Sequence, residues 1–263
     1  MPKGIESSTE QERAVSTRDF KIVAETDDYV VVEKPPFLLV HPTKPGGPPT
    51  LWSELRNLLA FEIANGGQVS IVNRLDRETS GLMLVAKTSA AARRFGRLMQ
   101  EQRIEKEYIA IVFGWPEWEQ KIVDAPLARA GECTPSPIWL KQAIHPQGAP
   151  ALTEFVIEER FIRSTTAGDR FSLIRAFPRT GRTHQIRVHL SSLGHPIVGD
   201  KIYGPDEQNY LRFIENGWTP ELERALLLPR HALHASSLAI DDVGAWRSPL
   251  PTDLGSWMGR GSA

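Results

Sequence analysis

The sequence predicts an α+β fold built on a mixed, mainly antiparallel sheet. Three observations predict it. Runs rich in β-branched residues recur in pairs joined by short polar turns, which is hairpin patterning. Helical periods are brief and scattered among them. The regular strand–helix alternation of a doubly wound parallel sheet does not appear. The chain has 263 residues, 41% hydrophobic and 24% charged, enough for a sizeable core in one large domain or two small lobes. There is no internal repeat and no domain-scale linker.

Residues 1 to about 17 are rich in Ser, Glu and Gln and lack periodicity, so they read as a disordered or loosely docked tail. That leaves 18–263 as one domain. Phe20 to Glu25 and Tyr29 to Lys34 are strands around an Asp27-Asp28 turn, the second ended by Pro35-Pro36. Phe37 to Val40 is a short apolar segment. His41 to Pro49 holds four prolines and two glycines, which makes it a loop. Thr50, or Ser53, caps a helix from Leu51 to Ala64. Its apolar face is Leu51, Leu55, Leu58, Leu59 and Ile63, and Asn65-Gly66-Gly67 stops it.

Strand, polar loop and strand follow over 71–87. Thr88 or Ser89 then caps a helix from Ala90 to about Gln102, and Lys106 to Gly114 is a strand. Six prolines break 115–150 into short strands and loops. Ala151 to Phe161 and Phe171 to Phe177 pair around a turn at Thr165–Asp169. Thr183 to Leu193 is a helix, with Ile186, Leu190 and Leu193 on one face and Gly194 at its end. Another helix lies near Glu207–Asn216, and His231 to Leu238 is a strand or short helix.

The net charge is -1, so a polyanion partner requires a local basic patch rather than a basic protein. Seven arginines between Arg160 and Arg187 face one acid, Asp169, and Arg93, Arg94, Arg97, Arg103 and Lys106 form a second cluster. Arginine forks match phosphate oxygens, and the two segments predict a polyanion groove. The single cysteine, Cys133, fits a reducing compartment. No signal-peptide core and no run of about 18 apolar residues is present, so the expected location is the cytoplasm, away from membranes.

Two stretches carry chemistry. In Asn73-Arg74-Leu75-Asp76-Arg77-Glu78-Thr79-Ser80-Gly81 an aspartate sits between two arginines, which keeps a carboxylate ionised. A surface salt-bridge loop would have the same local composition. In Arg179-Thr180-Gly181-Arg182-Thr183-His184-Gln185-Ile186-Arg187-Val188-His189 a turn opens a helix, presenting N–H groups suited to an anion, with Arg182, Gln185 and Arg187 as further donors. His184 and His189 are five apart, poor spacing for one helix face, and no Cys or acidic ligand recurs nearby. A metal site is therefore not expected. No Gly-x-Ser-x-Gly elbow and no Gly-rich phosphate loop occurs.

Arg74-Leu75-Asp76-x-x-Thr79-Ser80-Gly81-Leu82 resembles the signature of the RluA-type RNA pseudouridine synthases. Four more blocks resemble that family in its order. They are Val32-x-Lys34-Pro35 with Val40-His41-Pro42; Lys106-x-Tyr108 with Gly114; Gly181 to His189 followed by Gly194 to Gly204; and Arg230-His231-Ala232-Leu233-His234-Ala235. Together they cover residues 20–240. Many members carry His where this chain has Asn73, a departure expected to alter local hydrogen bonding rather than abolish activity.

The resemblance implies a bent sheet around a central catalytic cleft, without the small N-terminal RNA-binding domain of some relatives. It implies an isomerase that detaches uracil from C1′ of a uridine, turns it and rejoins it through C5, with no cofactor or metal. Asp76 matches the catalytic carboxylate, acting either as a nucleophile at C1′ or as a base at C2′. Arg187 matches the basic residue that pairs with it. Tyr108 matches the aromatic that stacks on the target base. Arg74 resembles the arginine that fills the gap left by the flipped base. Arg182, Gln185 and Thr79 complete the expected substrate contacts. The implied partner is structured RNA, a large-subunit ribosomal RNA or a tRNA stem-loop, met by a monomer. The alternative is a catalytically altered RNA-binding or RNA-folding protein on the same fold, favoured only by Asn73.

Overall fold

The β-branched run Tyr29–Lys34 (β2) pairs antiparallel with Lys21–Glu25 (β1) across a turn closed by Thr26, whose N–H donates to Tyr29 O at 2.9 Å. These elements come from a computed structural model that describes residues 20–260. The tail expected over residues 1 to about 17 lies outside them. Thr50 caps Leu51–Leu58 (α1) through a capping box with Ser53. The single helix expected to Ala64 is instead broken at Leu59, and Ala60–Ala64 (α2) follows. Leu51, Leu55 and Leu59 are buried, but Leu58 is exposed because it falls outside their stripe.

Ser70–Ile71 (β3) and Ser80–Ala86 (β4) frame the polar loop. Thr88 caps Ser89–Gln100 (α3), and Ile104–Phe113 (β5) follows. The proline-rich stretch holds Gln120–Asp124 (β6), Leu127–Arg129 (β7), the short helix Ala130–Cys133 (α4) and Gln142–Ile144 (β8). Leu152–Thr165 (β9) and Gly168–Pro178 (β10) form the long hairpin. Gln185–Ser192 (α5) starts two residues later than the sequence predicts, without a side-chain cap, because His184 adopts a left-handed φ of 56°. Helices Gln208–Asn216 (α6) and Pro220–Leu226 (α7) precede strand Leu233–Ile240 (β11). Gly244–Arg247 (β12) and Thr252–Trp257 (α8) follow it.

Ten strands make one sheet, with β1-β2-β4-β11-β5-β10-β9-β6 as its main path, β12 on β11 and β3 on β4. Only the β4–β11 contact is parallel. The sheet is therefore mainly antiparallel, and with its flanking helices the fold is α+β as predicted. The largest core cluster unites Val30, Val32, Met83 and Val85 with Leu51 and Leu55 of α1 and Ile186 and Leu190 of α5. A second forms where Val31, Leu82 and Leu84 meet Ala91 and Phe95 of α3. The alternation along β2 and β4 thus sends neighbouring residues to opposite faces.

One row across this sheet positions the site. Cα partners run Lys34–Gly81–Ala235–Tyr108–Ala176–Phe155 through β2, β4, β11, β5, β10 and β9. Tyr108 is flanked by alanines on both sides. Gly81 has φ +116° there, and a Cβ would lie 2.3 Å from Ala235 O, so this crossing accepts only glycine. Within the polar loop, Thr79-Ser80-Gly81 is not a turn. The reversal falls at Arg77–Glu78, and Ser80-Gly81 already belong to β4.

Candidate active site

The polar loop between β3 and β4 presents Asp76, whose carboxylate is 27% exposed. Two devices hold the loop. Asn73 is buried and its side chain extends the β3–β4 ladder: Oδ1 accepts Leu84 N–H at 2.7 Å and Nδ2 donates to Leu82 O at 3.2 Å. The amide replaces a backbone rung, so the main chain is free to leave the sheet. That gives Asn73 a structural task and removes the one feature that favoured a non-catalytic protein. The second device is Lys34, fully buried, whose ammonium donates to Pro35 O, Leu38 O and Arg77 O at 2.7, 3.0 and 3.1 Å. Burial pushes that ammonium down to about 7.

Arg187 reaches Asp76 from α5, as the resemblance implies: Nη1 donates to Oδ2 at 2.9 Å. Its Nε and Nη2 fork onto Asp200 at 2.7 and 2.9 Å, and Asp200 is fully buried. Asp200 Oδ1 also accepts the N–H groups of Ile202 and Tyr203 at 3.0 Å. Burial would raise the Asp200 carboxyl, but Arg187 holds it well below the usual carboxylate range. The guanidinium also lies 5.0 Å over the Tyr203 ring.

His184, which the sequence did not single out for the site, also enters it. Its Nε2 is 3.9 Å from Asp76 Oδ2 and its Nδ1 is 2.8 Å from the Tyr203 hydroxyl. That hydroxyl oxygen accepts Gln142 N–H at 2.7 Å. If its own proton goes to Nδ1, the Nε2 proton points at Asp76. Burial lowers His184 to about 4, so the ring is neutral at pH 7. Burial alone would raise the Asp76 carboxyl, yet His184, Arg187 and His231 hold it below its ordinary value. At neutral pH Arg187 is the cation that remains to do so.

Tyr108 is buried on β5, and burial together with the charge of Asp76 keeps its phenol protonated. Arg74 is exposed at the loop, close enough to His41 to lower that ring after burial has done so. Arg182 is exposed too, its Nε held by Pro150 O at 3.0 Å.

Two expected substrate contacts turn inward. Gln185 is buried with its amide saturated. Its oxygen accepts from Thr180 Oγ1 and Arg182 N–H, and its nitrogen donates to Leu152 O and Thr153 Oγ1. It builds the turn before α5 and has no donor left for RNA. The Arg182 N–H expected to face an anion is consumed in the same way. Thr79 is buried against His231 Nε2 at 2.7 Å. Beside it Glu78 joins Lys201 at 2.8 Å and His231 N–H at 3.2 Å, and these contacts overcome burial to bring Glu78 down to about 2.

The expected arginine groove is largely dismantled by local pairing. Arg175 forks onto Glu107, Arg160 binds Glu119 and two carbonyls, and Arg163 and Arg170 cover Trp257 and Trp115. Arg179 and Arg182 remain exposed beside the site. Among the described residues no three His, Cys, Asp or Glu side chains converge as a metal site would require, and no helix is long and apolar enough to cross a membrane.

The chain is similar to known proteins. The family described as RNA pseudouridylate synthase matches residues 28–192. Ribosomal large subunit pseudouridine synthase D of Nitrosomonas europaea is 34% identical over 262 residues, covering 96% of this chain and 68% of the relative. The protein of the same description from Pseudomonas aeruginosa is 34% identical over 241 residues, covering 90% and 70%. Among solved structures, human RNA pseudouridylate synthase domain containing 1 superposes with a TM-score of 0.67 at 28% identity, over 92% of this chain and 89% of that one. Human RNA pseudouridylate synthase domain containing 4 has a TM-score of 0.69 at 22% identity, over 91% and 92%, and shares the fold.

Proposed function

This chain belongs to the RNA pseudouridylate synthase family and is an isomerase that makes pseudouridine in RNA; from that premise we propose that Asp76 carries the reaction and that large-subunit ribosomal RNA is the substrate. The single observation behind the first part is the Arg187–Asp76 contact at 2.9 Å, which leaves an ionised, partly exposed carboxylate aimed beside Tyr108. That carboxylate attacks C1′ or takes a proton from C2′, and in both cases the C1′–N1 bond breaks. The freed uracil turns against the Tyr108 ring, whose π face holds it without regard to orientation. C5 then bonds to C1′, which breaks the Asp76–C1′ ester on the first route, while C2′ takes back its proton on the second; the C5 proton leaves and N1 carries one instead, so atoms balance as an isomerisation requires. Arg74, exposed at the loop, fills the gap the base leaves in the RNA stack. Arg182 contacts a backbone phosphate.

The names of the relatives support ribosomal RNA over a tRNA stem-loop. The test is pseudouridine mapping of total RNA from cells with and without the gene, complemented by the wild type or by Asp76→Ala. Loss of a ribosomal site restored only by the wild type is expected. Loss confined to tRNA overturns the substrate, and restoration by Asp76→Ala overturns the mechanism.

A further inference from the structure

We propose that the fork between β5 and β10, one step along the strand from Tyr108, is a site for a backbone phosphate of the RNA, built on Lys106 and Arg179. The proposal rests on the reading that the chain acts on RNA. Pairing between the two strands ends at Ala176–Tyr108. Beyond it β10 stays with β9 as far as Pro178–Thr153 while β5 stays with β11 down to Ile104–Ile240. The strands therefore part, and a cavity of about 120 Å³ opens between Ile104, Glu105, Lys106, Phe177, Pro178 and Arg179. That is room for several waters.

Lys106 stands in this fork with 9% of its surface exposed. Its ammonium has two weak neighbours, Thr180 O at 3.4 Å and Met99 Sδ at 3.9 Å. Among the described residues no carboxylate lies within ion-pair distance of it. The adjacent Glu107 is taken by the bidentate fork of Arg175. Glu105 is the only acid lining the cavity; it is exposed and points to the opposite side of the pleat. A buried ammonium without a strong acceptor is costly, and burial lowers this one to about 8.

The three donors of an ammonium cannot all be met by one carbonyl and one thioether. A phosphate oxygen would meet them. Arg179 adds a second cation on the same cavity, exposed and only loosely held by Glu154 at 3.7 Å. The placement suits a nucleotide in the cleft. Lys106 is two residues from Tyr108 on the same strand face, and the Thr180 carbonyl it touches begins the turn that leads through His184 to Arg187. A phosphate held here lies next to the flipped nucleotide rather than on a distant surface.

The test compares the full-length wild type with Lys106→Met and Arg179→Gln in binding to an RNA stem-loop across a salt series. Lys106→Met is expected to bind about tenfold more weakly and to lower the salt slope of log K by about one. Its melting temperature is expected to hold or rise, since an underpaired buried charge gives way to an apolar side chain of similar length. Arg179→Gln, on the surface, lowers the same slope without touching the core, so it carries the test if Lys106→Met fails to fold. A single neutral methylphosphonate linkage in the RNA should weaken the wild type at one position and leave Lys106→Met indifferent there. Folded variants with unchanged affinity and slope would overturn the phosphate site. A wild type that neither binds nor modifies RNA overturns the RNA reading itself, and the proposal with it.

Discussion

Asp76 and Asp200 share one arginine: Arg187 gives Nη1 to the first at 2.9 Å and forks Nε and Nη2 onto the second. The fork fixes the guanidinium plane, and the plane fixes where Nη1 points. Asp200→Asn keeps the shape but removes the charge from a fully buried pair. The expected cost is about 3 kcal/mol of stability together with a fall in turnover, because the cation is no longer aimed. Denaturant unfolding and single-turnover rates check both. An active, fully stable variant would mean that Asp76 alone orients Arg187.

Removing Asp76 should have the opposite profile. Arg187 keeps Asp200, so no buried charge is stranded by Asp76→Ala. The expected result is loss of pseudouridine formation by at least about 10²–10⁴-fold, with the melting temperature and RNA affinity near wild type. Turnover within about tenfold of the wild type would place the chemistry on another group.

The histidines set the acid limit. Burial lowers both His184 and His234 to about 4. As the pH falls below about 6.5, the unfolded chain takes up these protons first. Native stability therefore drops from about pH 6.5 to about pH 4, by roughly 1.4 kcal/mol per pH unit for each ring. Above pH 6.5 both rings are neutral in both states and contribute no slope. Unfolding midpoints at pH 7, 5.5 and 4.5 measure this. A flat profile would show that the rings are protonated in the fold.

Asn73 supplies a prediction about the loop. Asn73→Ala leaves the Leu84 N–H and Leu82 O without their partner, for an expected cost of about 1–3 kcal/mol. Asp76, three residues on, should lose its aim, so kcat should fall further than KM changes. Steady-state kinetics beside a thermal melt would detect it. An unchanged kcat would assign the loop's geometry to Lys34 alone.

Much of this was legible in the sequence because strands and caps are local. Thr50 and Thr88 announced their helices, and the blocks around Asp76 and Arg187 paired residues 111 positions apart. The parts that were not legible depend on conformation or on remote partners. Nothing in the chemistry of His184 indicates a left-handed φ of 56°, yet that angle turns its ring to Asp76. Asp200 stood inside a recognised block, but its role appears only once Arg187 folds over it. The arginine-rich segment misled because Glu107 and Glu119, which neutralise Arg175 and Arg160, lie far back in the chain, on β5 and just before β6. Gln185 misled for the same reason, since its four partners include Leu152 and Thr153 on β9.

β11 is made last among the strands of the row that carries Tyr108, and it lies between two made much earlier. Gly81 and Tyr108 face Ala235 from either side, so β4 and β5 are joined only through Leu233–Ile240 between them. Such long-range closure is slow compared with hairpin formation. On the ribosome, the first two hundred residues can form β1–β2 and β9–β10 while this row still has a gap. A nascent chain thus carries Asp76, Tyr108 and Arg187 before β11 joins the strands on either side of it, and the proposed site can assemble only once Leu233–Ile240 has been made.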